Sequence, residues 1–184
     1  MIAFLDTEFT DFVHAELLSI GLVSIDGREH YVELDLTTEA GKARVGKSSD
    51  FVCDHVLNMW GLVPGAAAPE REMGRRTGEW LLLLAAESGT RVQVAFDYAL
   101  DYELMEYAVR DADLWDRVRE VVAPINVGPL TDSPDGQIAA QEYFCEQKRR
   151  GLSCHHALCD AGGLRAAYIA TKAIAMRMAH RGRS

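Results

Sequence analysis

The sequence predicts an α/β domain built on a mixed five-stranded sheet flanked by helices. Three apolar segments at the front of the chain have strand character, and the turn signal Asp26-Gly27 separates the second from the third. Two more strands follow, and segments with helical spacing lie between and after them. Strands in succession, followed by strands that alternate with helices, are typical of an α/β domain with a mixed sheet.

The predicted strands are short, apolar segments bounded by turn residues. The second returns through Asp26-Gly27 into the third, so we expect the first three to form an antiparallel meander. Pro124 in the fifth cannot donate a backbone hydrogen bond, so we expect that strand to be an edge strand or a poorly formed one. The strands are predicted at Ile2–Asp6, Leu17–Ile25, Glu29–Leu36, Thr90–Phe96 and Val121–Val127.

The helices are predicted from apolar residues that recur at intervals of three and four. One follows the capping signal Ser49-Asp50, and one contains the apolar run at residues 80–84, which predicts a buried helix. The polar segment Thr37–Lys47 is predicted to be a loop, and Gly61–Pro69 to be a break. The helices are predicted at Phe51–Leu57, Glu70–Glu87, Ala99–Val109, Leu114–Arg119, Gln137–Arg149 and Ala157–Met178, with a basic tail at Arg177, Arg181 and Arg183.

Length and composition predict a globular protein. A chain of 184 residues suits a single domain, residues 1–184, with a sizeable core. No apolar run reaches the roughly 18 residues that a membrane helix needs. No Lys or Arg precedes Arg28, so we expect no signal peptide, and a cytoplasmic protein. The four cysteines are then expected to be reduced, and the net charge of −9 argues against non-specific binding to long duplexes.

Two carboxylates stand at the end of the first strand. Alternate residues of a strand point to the same face, so Asp6 and Glu8 would lie side by side, roughly 7 Å apart at the backbone. Like charges this close repel unless a cation lies between them, and Mg²⁺ prefers carboxylate oxygens. An isolated Asp-x-Glu pair is more often a solvated strand end than a metal site, so the metal hypothesis depends on the rest of the chain.

Further acidic residues occur where they can join this pair. Asp97 and Asp101 follow the fourth strand, and α/β folds place their chemistry at such sheet ends. His155 and Asp160 are five residues apart, which on one helix is a rotation of about 500°. They can converge only if His155 lies in the loop before the last helix and Asp160 lies in its first turns.

These motifs together resemble a known family. Asp6-x-Glu8, an Asp after a strand, and His155-x-Ala157-Leu158-x-Asp160-Ala161 resemble the three exonuclease motifs of the DEDDh 3′–5′ exonucleases, which share the ribonuclease H-like fold. Their order and spacing match across essentially the whole chain. The segment Phe51-Val52-x-x-x-Val56-Leu57 further resembles the small bacterial branch typified by a mycobacterial exoribonuclease.

The resemblance implies a two-metal phosphodiesterase that releases nucleoside 5′-monophosphates from the 3′ end. Two Mg²⁺ or Mn²⁺ ions would activate a water and stabilise the leaving 3′-oxygen, and His155 would be the general base. An ungapped comparison places Asp101 at the third metal position, with Asp97 as the alternative. The implied metal ligands are Asp6, Glu8, Asp101 and Asp160.

The resemblance also implies how substrate binds. Backbone groups near Thr7 and Phe9 would contact the 3′-hydroxyl, and Phe9 would pack on the base, although a core position suits Phe9 equally well. The segment before Asp101 lacks the His-Asn pair common in the family, so local substrate contacts are expected to differ. We expect single-stranded or 3′-overhang nucleic acid, RNA in preference to DNA. Many relatives dimerise, so a homodimer is compatible with the resemblance. The basic cluster Lys148, Arg149 and Arg150 would contact upstream phosphates or form a solvated helix end.

Other interpretations remain open at this point. A zinc site would use Cys154, His155, His156 and Cys159, with Cys53 and His55 as more distant ligands, but the cysteine spacing is loose and no second pair completes it. A ribonuclease H-like domain that binds nucleic acid or a partner without cleavage is a second alternative, and a 3′–5′ exodeoxyribonuclease is a third.

Overall fold

The fold is an α/β arrangement on a six-stranded mixed sheet. The computed structural model describes the backbone of residues 1–181 and the side chains of residues 1–174. In space the strands follow the order β4-β3-β2-β1-β5-β6, where they span β1 (Ile2–Phe9), β2 (Leu17–Ser24), β3 (Glu29–Leu34), β4 (Ala67–Ala68), β5 (Val92–Phe96) and β6 (Val122–Asn126). The predicted antiparallel meander β1–β2–β3 is confirmed. Parallel pairs join β1 to β5, β5 to β6 and β3 to β4.

Helices cover both faces of the sheet. They are α1 (Glu39–Val45), α2 (Asp50–His55), α3 (Glu70–Ser88), α4 (Ala99–Asp111), α5 (Trp115–Val121), α6 (Gly128–Thr131), α7 (Pro134–Gln147) and α8 (Ala157–Arg181). The largest apolar cluster lies between the sheet and helices α3, α4 and α5. On the opposite face α8 packs on β1 and β2, and α7 packs against α8. Within the part of the chain that the structure describes, no helix is both long and apolar enough to cross a membrane.

The prediction of five strands is wrong by one. Strand β4, Ala67–Ala68, lies inside the segment predicted as a break and pairs in parallel with Glu33 and Leu34. Two residues are too few to show a strand pattern in sequence. The edge position predicted for the strand containing Pro124 is confirmed.

The other differences between the predicted and the observed fold concern helices. Helix α1 lies within the predicted loop Thr37–Lys47, because the Thr38 side chain caps it by accepting a hydrogen bond from the Gly41 N–H. Helix α6 was not predicted. Helix α7 begins at Pro134, earlier than predicted, because Ser133 caps it, and the basic cluster at its end forms a 3₁₀ turn. The predicted basic tail at Arg177, Arg181 and Arg183 lies outside the described side chains.

A glycine on β2 fixes the position of α8. A Cβ at Gly21 would lie 2.2 Å from the carbonyl carbon of Ala157, so no other residue allows the helix start to pack this closely. Gly21 is also the register partner of Asp6 on β1. The close packing therefore brings the residues around the start of α8 over the strand that carries Asp6.

Candidate metal centre

The polar side chains of strand β1 lie on two faces of the sheet. Asp6 and Glu8 alternate with Thr7, and β1 continues to Phe9 with an irregularity in its pairing to β2 between Glu8 and Phe9. Asp6 and Glu8 point to the face covered by α8, whereas Thr7 points towards α4. The strand therefore extends past the predicted end at Asp6 and carries both carboxylates.

The acidic residues form two groups that share one member. In each group one carboxylate oxygen per residue lies within 4.8 Å of the others; the first contains Asp6, Glu8 and Asp160, and the second contains Asp6, Asp97 and Asp101. The structure thus brings together all four predicted metal ligands and the alternative Asp97. Each group offers three oxygen ligands, which suits a hard divalent cation.

Asp101 is held in place by Thr7. It lies in the first turn of α4 and is 3% exposed, and both the Thr7 backbone N–H and the Thr7 hydroxyl donate to its Oδ1, at 3.2 and 2.7 Å. Its Oδ2 is not used in these bonds. Asp97, in contrast, is exposed at the end of β5. Both can approach an ion beside Asp6, so the choice of Asp101 over Asp97 stays a prediction.

His155 lies in the turn before α8 and Asp160 lies in the first turn of that helix, the placement that the spacing requires if the two are to converge. His155 lies outside the helix and has a positive φ of 67°, an uncommon conformation for a residue with a side chain. In this conformation its backbone N–H donates a 2.8 Å hydrogen bond to the Oδ2 of Asp160. The other oxygen, Oδ1, is buried and has no hydrogen-bond partner among the described residues. That unpartnered oxygen is available to a cation.

Burial and mutual repulsion raise the pKa values of the cluster carboxyls when no cation is bound. Burial raises the pKa of Asp6 and of Glu8, and the charges of Asp160 and Asp101 raise both further. Burial also raises the pKa of Asp101 and of Asp160, although hydrogen bonds from Thr7 and from the His155 N–H lower them in part. No Lys or Arg of the described part of the chain forms an ion pair with these four carboxylates. A bound cation would therefore displace protons and relieve the repulsion.

The His155 imidazole faces an aromatic cavity. The ring lies edge-on to Phe51, with centroids 5.0 Å apart, and 6.4 Å from the ring of His55. Burial and the neighbouring His55 lower the pKa of His155. The cavity has a volume of about 400 Å³ and is lined by Glu8, Phe9, Asp11, Phe12, Ser49, Phe51, Val52 and His155. A neutral imidazole and a carboxylate of the acidic cluster thus border the same space.

A second cavity reaches the cluster from the side of α7 and α8. It has a volume of about 250 Å³ and borders Asp6, Asp97 and Asp160, together with residues of α6, α7 and α8 such as Gln137 and Phe144. The acidic cluster is therefore open to two spaces, an aromatic one beside Glu8 and a mixed polar one beside Asp97.

The two predicted substrate contacts, Phe9 and Thr7, have different surroundings in the structure. Phe9 packs partly against the main core and lies edge-on to Phe12, with centroids 5.2 Å apart, while it also lines the aromatic cavity. Thr7 uses its N–H and hydroxyl on Asp101, so these donors already have an acceptor. A role for either residue in substrate binding stays a prediction.

In the basic cluster, Arg150 pairs with Glu29, and all three side chains are exposed.

The zinc interpretation finds no support in the structure. Among the described residues, no group of three potential ligands close enough to share an ion includes a cysteine or a histidine. All four cysteines are unpaired, and Cys159 is buried whereas Cys154 is exposed. His156 is buried, and its ring stacks on that of Tyr31 with centroids 4.4 Å apart.

Sequence reasoning missed two sets of residues around the cluster. The exposed aromatics Phe12 and Phe51 face the cavity from a loop and from α2, and their exposure has no signature in sequence. Tyr31 and Glu33 of β3 are neighbours of the site. Their pairing with Gly21 and Ser19 of β2 is the signal that could have identified them.

No protein-family model matches this chain, and no curated protein shows significant similarity to it.

Proposed function

We propose that this chain is a metal-dependent 3′–5′ exonuclease of the DEDDh type that releases nucleoside 5′-monophosphates. The observation that carries the proposal is the pair of three-carboxylate groups that share Asp6, with His155 hydrogen-bonded through its backbone to one member. Sites with two cations about 3.5–4 Å apart are typical of enzymes that cleave phosphodiesters. A shared carboxylate between two groups is what such a pair of ions requires.

The residues fit two divalent cations, and Mg²⁺ or Mn²⁺ suits them best. All ligand atoms are carboxylate oxygens, which Mg²⁺ and Mn²⁺ prefer over softer ions. The unpartnered Oδ1 of Asp160 and the raised pKa values of the cluster indicate groups that gain from a nearby positive charge. We assign one ion to the group with Glu8 and Asp160, and the other to the group with Asp101 and Asp97.

The chemistry is hydrolysis of the terminal phosphodiester. The bound cations would supply Lewis acidity towards the attacking water and the departing 3′-oxygen. His155 would accept the proton of the water as its oxygen bonds to phosphorus and the bond from phosphorus to the 3′-oxygen breaks. The departing oxygen ends as the new 3′-hydroxyl after it gains a proton. The lowered pKa of His155 keeps its ring neutral near pH 7, the state that can accept a proton.

The aromatic cavity suits the terminal nucleoside. Phe9, Phe12 and Phe51 line it next to Glu8 and His155, and stacking on aromatic rings tolerates any base at a gain of roughly 1–3 kcal/mol per base. The protein has a net charge of −9, so broad electrostatic attraction to phosphates is weak. Binding that depends on cations and stacking at one end favours a single-stranded 3′ end. We expect RNA in preference to DNA from the resemblance to the exoribonuclease branch.

The fold is compatible with the ribonuclease H-like architecture that this family uses. The sheet has an antiparallel meander, with β5 and β6 added in parallel beside β1. The acidic residues come from the central strand β1, from the helix after β5 and from the last helix. Three segments that are remote in sequence thus meet at one end of the central strands.

The test is a panel of 5′-labelled RNA and DNA oligonucleotides, single-stranded or with 3′ overhangs, incubated with Mg²⁺ or Mn²⁺. The proposal predicts stepwise shortening from the 3′ end with release of nucleoside 5′-monophosphates, and no product with Asp6→Asn. Oligonucleotides that are retained but not shortened would indicate a binding module instead. Faster shortening of DNA would indicate the exodeoxyribonuclease.

A further inference from the structure

A row of polar side chains crosses the sheet beneath the start of α8. Glu8 on β1 pairs with Ser19 on β2, and Ser19 pairs with Glu33 on β3. Directly paired residues of antiparallel strands point to the same face, with Cβ atoms about 4.5–5.5 Å apart. The Ser19 hydroxyl therefore stands between two carboxylates, one of which belongs to the candidate metal centre.

The Ser19 hydroxyl has unusual surroundings. Ser19 is 0% exposed, and its Oγ forms no hydrogen bond with any described residue. Burial and the charges of Glu33 and Glu8 raise the pKa of the Tyr31 phenol, and the Ser19 hydroxyl lowers that pKa in part. Buried hydroxyls in native proteins nearly always have a partner, so this one needs an explanation.

Glu33 already has hydrogen-bond donors, which leaves Glu8 as the neighbouring carboxylate that can accept the Ser19 proton. The Tyr31 hydroxyl donates to Glu33 Oε2 at 2.9 Å, and the Gly61 N–H donates to Oε1 at 3.0 Å. Each oxygen of this buried carboxylate thus has a donor, and the Tyr31 proton is committed to it. Glu8, the other neighbour of Ser19, is a carboxylate of the cluster with no Lys or Arg beside it among the described residues.

We propose that Ser19 is a positioning residue that donates a hydrogen bond to Glu8 when Glu8 binds a cation. The hydrogen bond from Tyr31 to Glu33 keeps Glu33 from accepting the Ser19 proton instead. The inference rests on the proposed function, because it assigns Ser19 a role only if Glu8 is a metal ligand. A carboxylate that accepts a hydrogen bond on one oxygen presents the other to the ion in a fixed orientation. Tyr31 is kept in place by its bond to Glu33 and by stacking on His156.

The experiment is a calorimetric titration with Mn²⁺ of the parent protein, Ser19→Ala and Ser24→Ala. Ser24 is a matched control, because it lies on the same strand, is also 0% exposed, and forms hydrogen bonds with Asp26 and Arg28 remote from the site. We expect Ser19→Ala to weaken Mn²⁺ binding about 10-fold or more, without loss of thermal stability in the metal-free protein. Ser24→Ala should do the reverse, with lower thermal stability and parent-like Mn²⁺ affinity.

A double-mutant cycle with Tyr31→Phe tests the network. If Tyr31 acts through Ser19, the loss of Mn²⁺ affinity in Ser19→Ala/Tyr31→Phe is smaller than the product of the two single losses; losses that multiply overturn the role of Tyr31. Unchanged Mn²⁺ affinity in Ser19→Ala overturns the positioning role of Ser19. A parent protein that binds no Mn²⁺ contradicts the proposed function itself, so the two failures are distinguishable.

Discussion

The Thr7 hydroxyl donates a 2.7 Å hydrogen bond to the Oδ1 of Asp101, and the Thr7 backbone N–H reaches the same oxygen at 3.2 Å. Thr7 lies between Asp6 and Glu8 in sequence but points to the other face of β1. One three-residue segment of strand thus supplies two carboxylates directly and orients a third on α4. This relationship gives Thr7 a role that the comparison of motifs did not assign.

Thr7→Val should weaken metal binding and shift its pH dependence. Valine keeps the shape of the buried side chain but removes the hydroxyl that lowers the pKa of Asp101. We expect Mn²⁺ affinity to fall about 10-fold or more and the pH midpoint of binding to rise, because more protons compete with the ion. Calorimetric titrations across pH measure both quantities. Thr7→Ser keeps the hydroxyl and should resemble the parent; equal midpoints in Val and Ser variants would refute this role.

Asp101→Asn should reduce turnover far more than Asp97→Asn. Asp101 is buried and oriented by Thr7, whereas Asp97 is exposed, and a fixed ligand contributes more to a metal site than a mobile one. Loss of a ligand that holds a cation is expected to lower kcat by about 10²-fold or more, as the loss of several kcal/mol of charge stabilisation implies. Steady-state kinetics at saturating Mn²⁺ provides the ranking. A larger effect of Asp97→Asn would make Asp97 the third acid.

His155→Ala should lower kcat by about 10²–10⁴-fold, the usual effect of losing a general base. Because alanine disfavours the positive φ at this position, His155→Asn provides a matched variant whose side chain tolerates that conformation. Both variants should have a low kcat, and His155→Asn should be the more stable of the two in thermal unfolding. A His155→Asn variant with parent-like kcat would show that the imidazole is not the general base.

The lowered pKa of His155 also fixes the direction of the pH profile. A protonated ring cannot accept the proton of the attacking water, so at saturating Mn²⁺ the rate should fall only below pH 6.5. An acid limb at higher pH in the parent, retained in His155→Asn, would point to the carboxylates instead.

The metal-free protein should lose stability as pH rises from about 6.5 to 8. The cluster carboxyls have a higher pKa in the folded state than in the unfolded state, so their contribution is present at low pH and is lost through the raised folded values. The buried residues His30 and His156, with pKa values of about 4, act in the opposite sense only below pH 6.5. Denaturant unfolding across this range measures the slope.

Added Mn²⁺ should abolish this loss, since it binds the ionised cluster, and Asp6→Asn should raise metal-free stability at pH 8 by on the order of 1–2 kcal/mol. Metal-free stability that is flat or rises between pH 6.5 and 8 would show that the carboxylates do not repel one another as described.

The sequence predicted the parts of this site that depend on local geometry. Alternation on a strand placed Asp6 and Glu8 on one face, and the five-residue spacing required His155 outside the helix that carries Asp160. Two features depend on long-range packing, namely the hydrogen bonds from Thr7 to Asp101 and the aromatic cavity beside Glu8. No periodicity reports contacts between residues that are about ninety positions apart.

The errors in the predicted fold have a similar physical origin. Helix α1 is polar and short, and it forms because Thr38 caps it rather than because an apolar face repeats. Strand β4 contributes only the residues that pair with Glu33 and Leu34. Such elements are stabilised by one cap or by one neighbouring strand, so composition alone assigned them to loops.

The shared position of Asp6 in two carboxylate groups is tested most directly by counting Mn²⁺ ions and measuring their separation. Electron paramagnetic resonance of the protein with excess nucleoside 5′-monophosphate should detect two spin-coupled Mn²⁺ ions per chain, as expected for ions about 3.5–4 Å apart, and Asp6→Asn should lose the coupled signal. A single ion per chain, or two uncoupled ions that persist in Asp6→Asn, would contradict a two-cation centre built on Asp6.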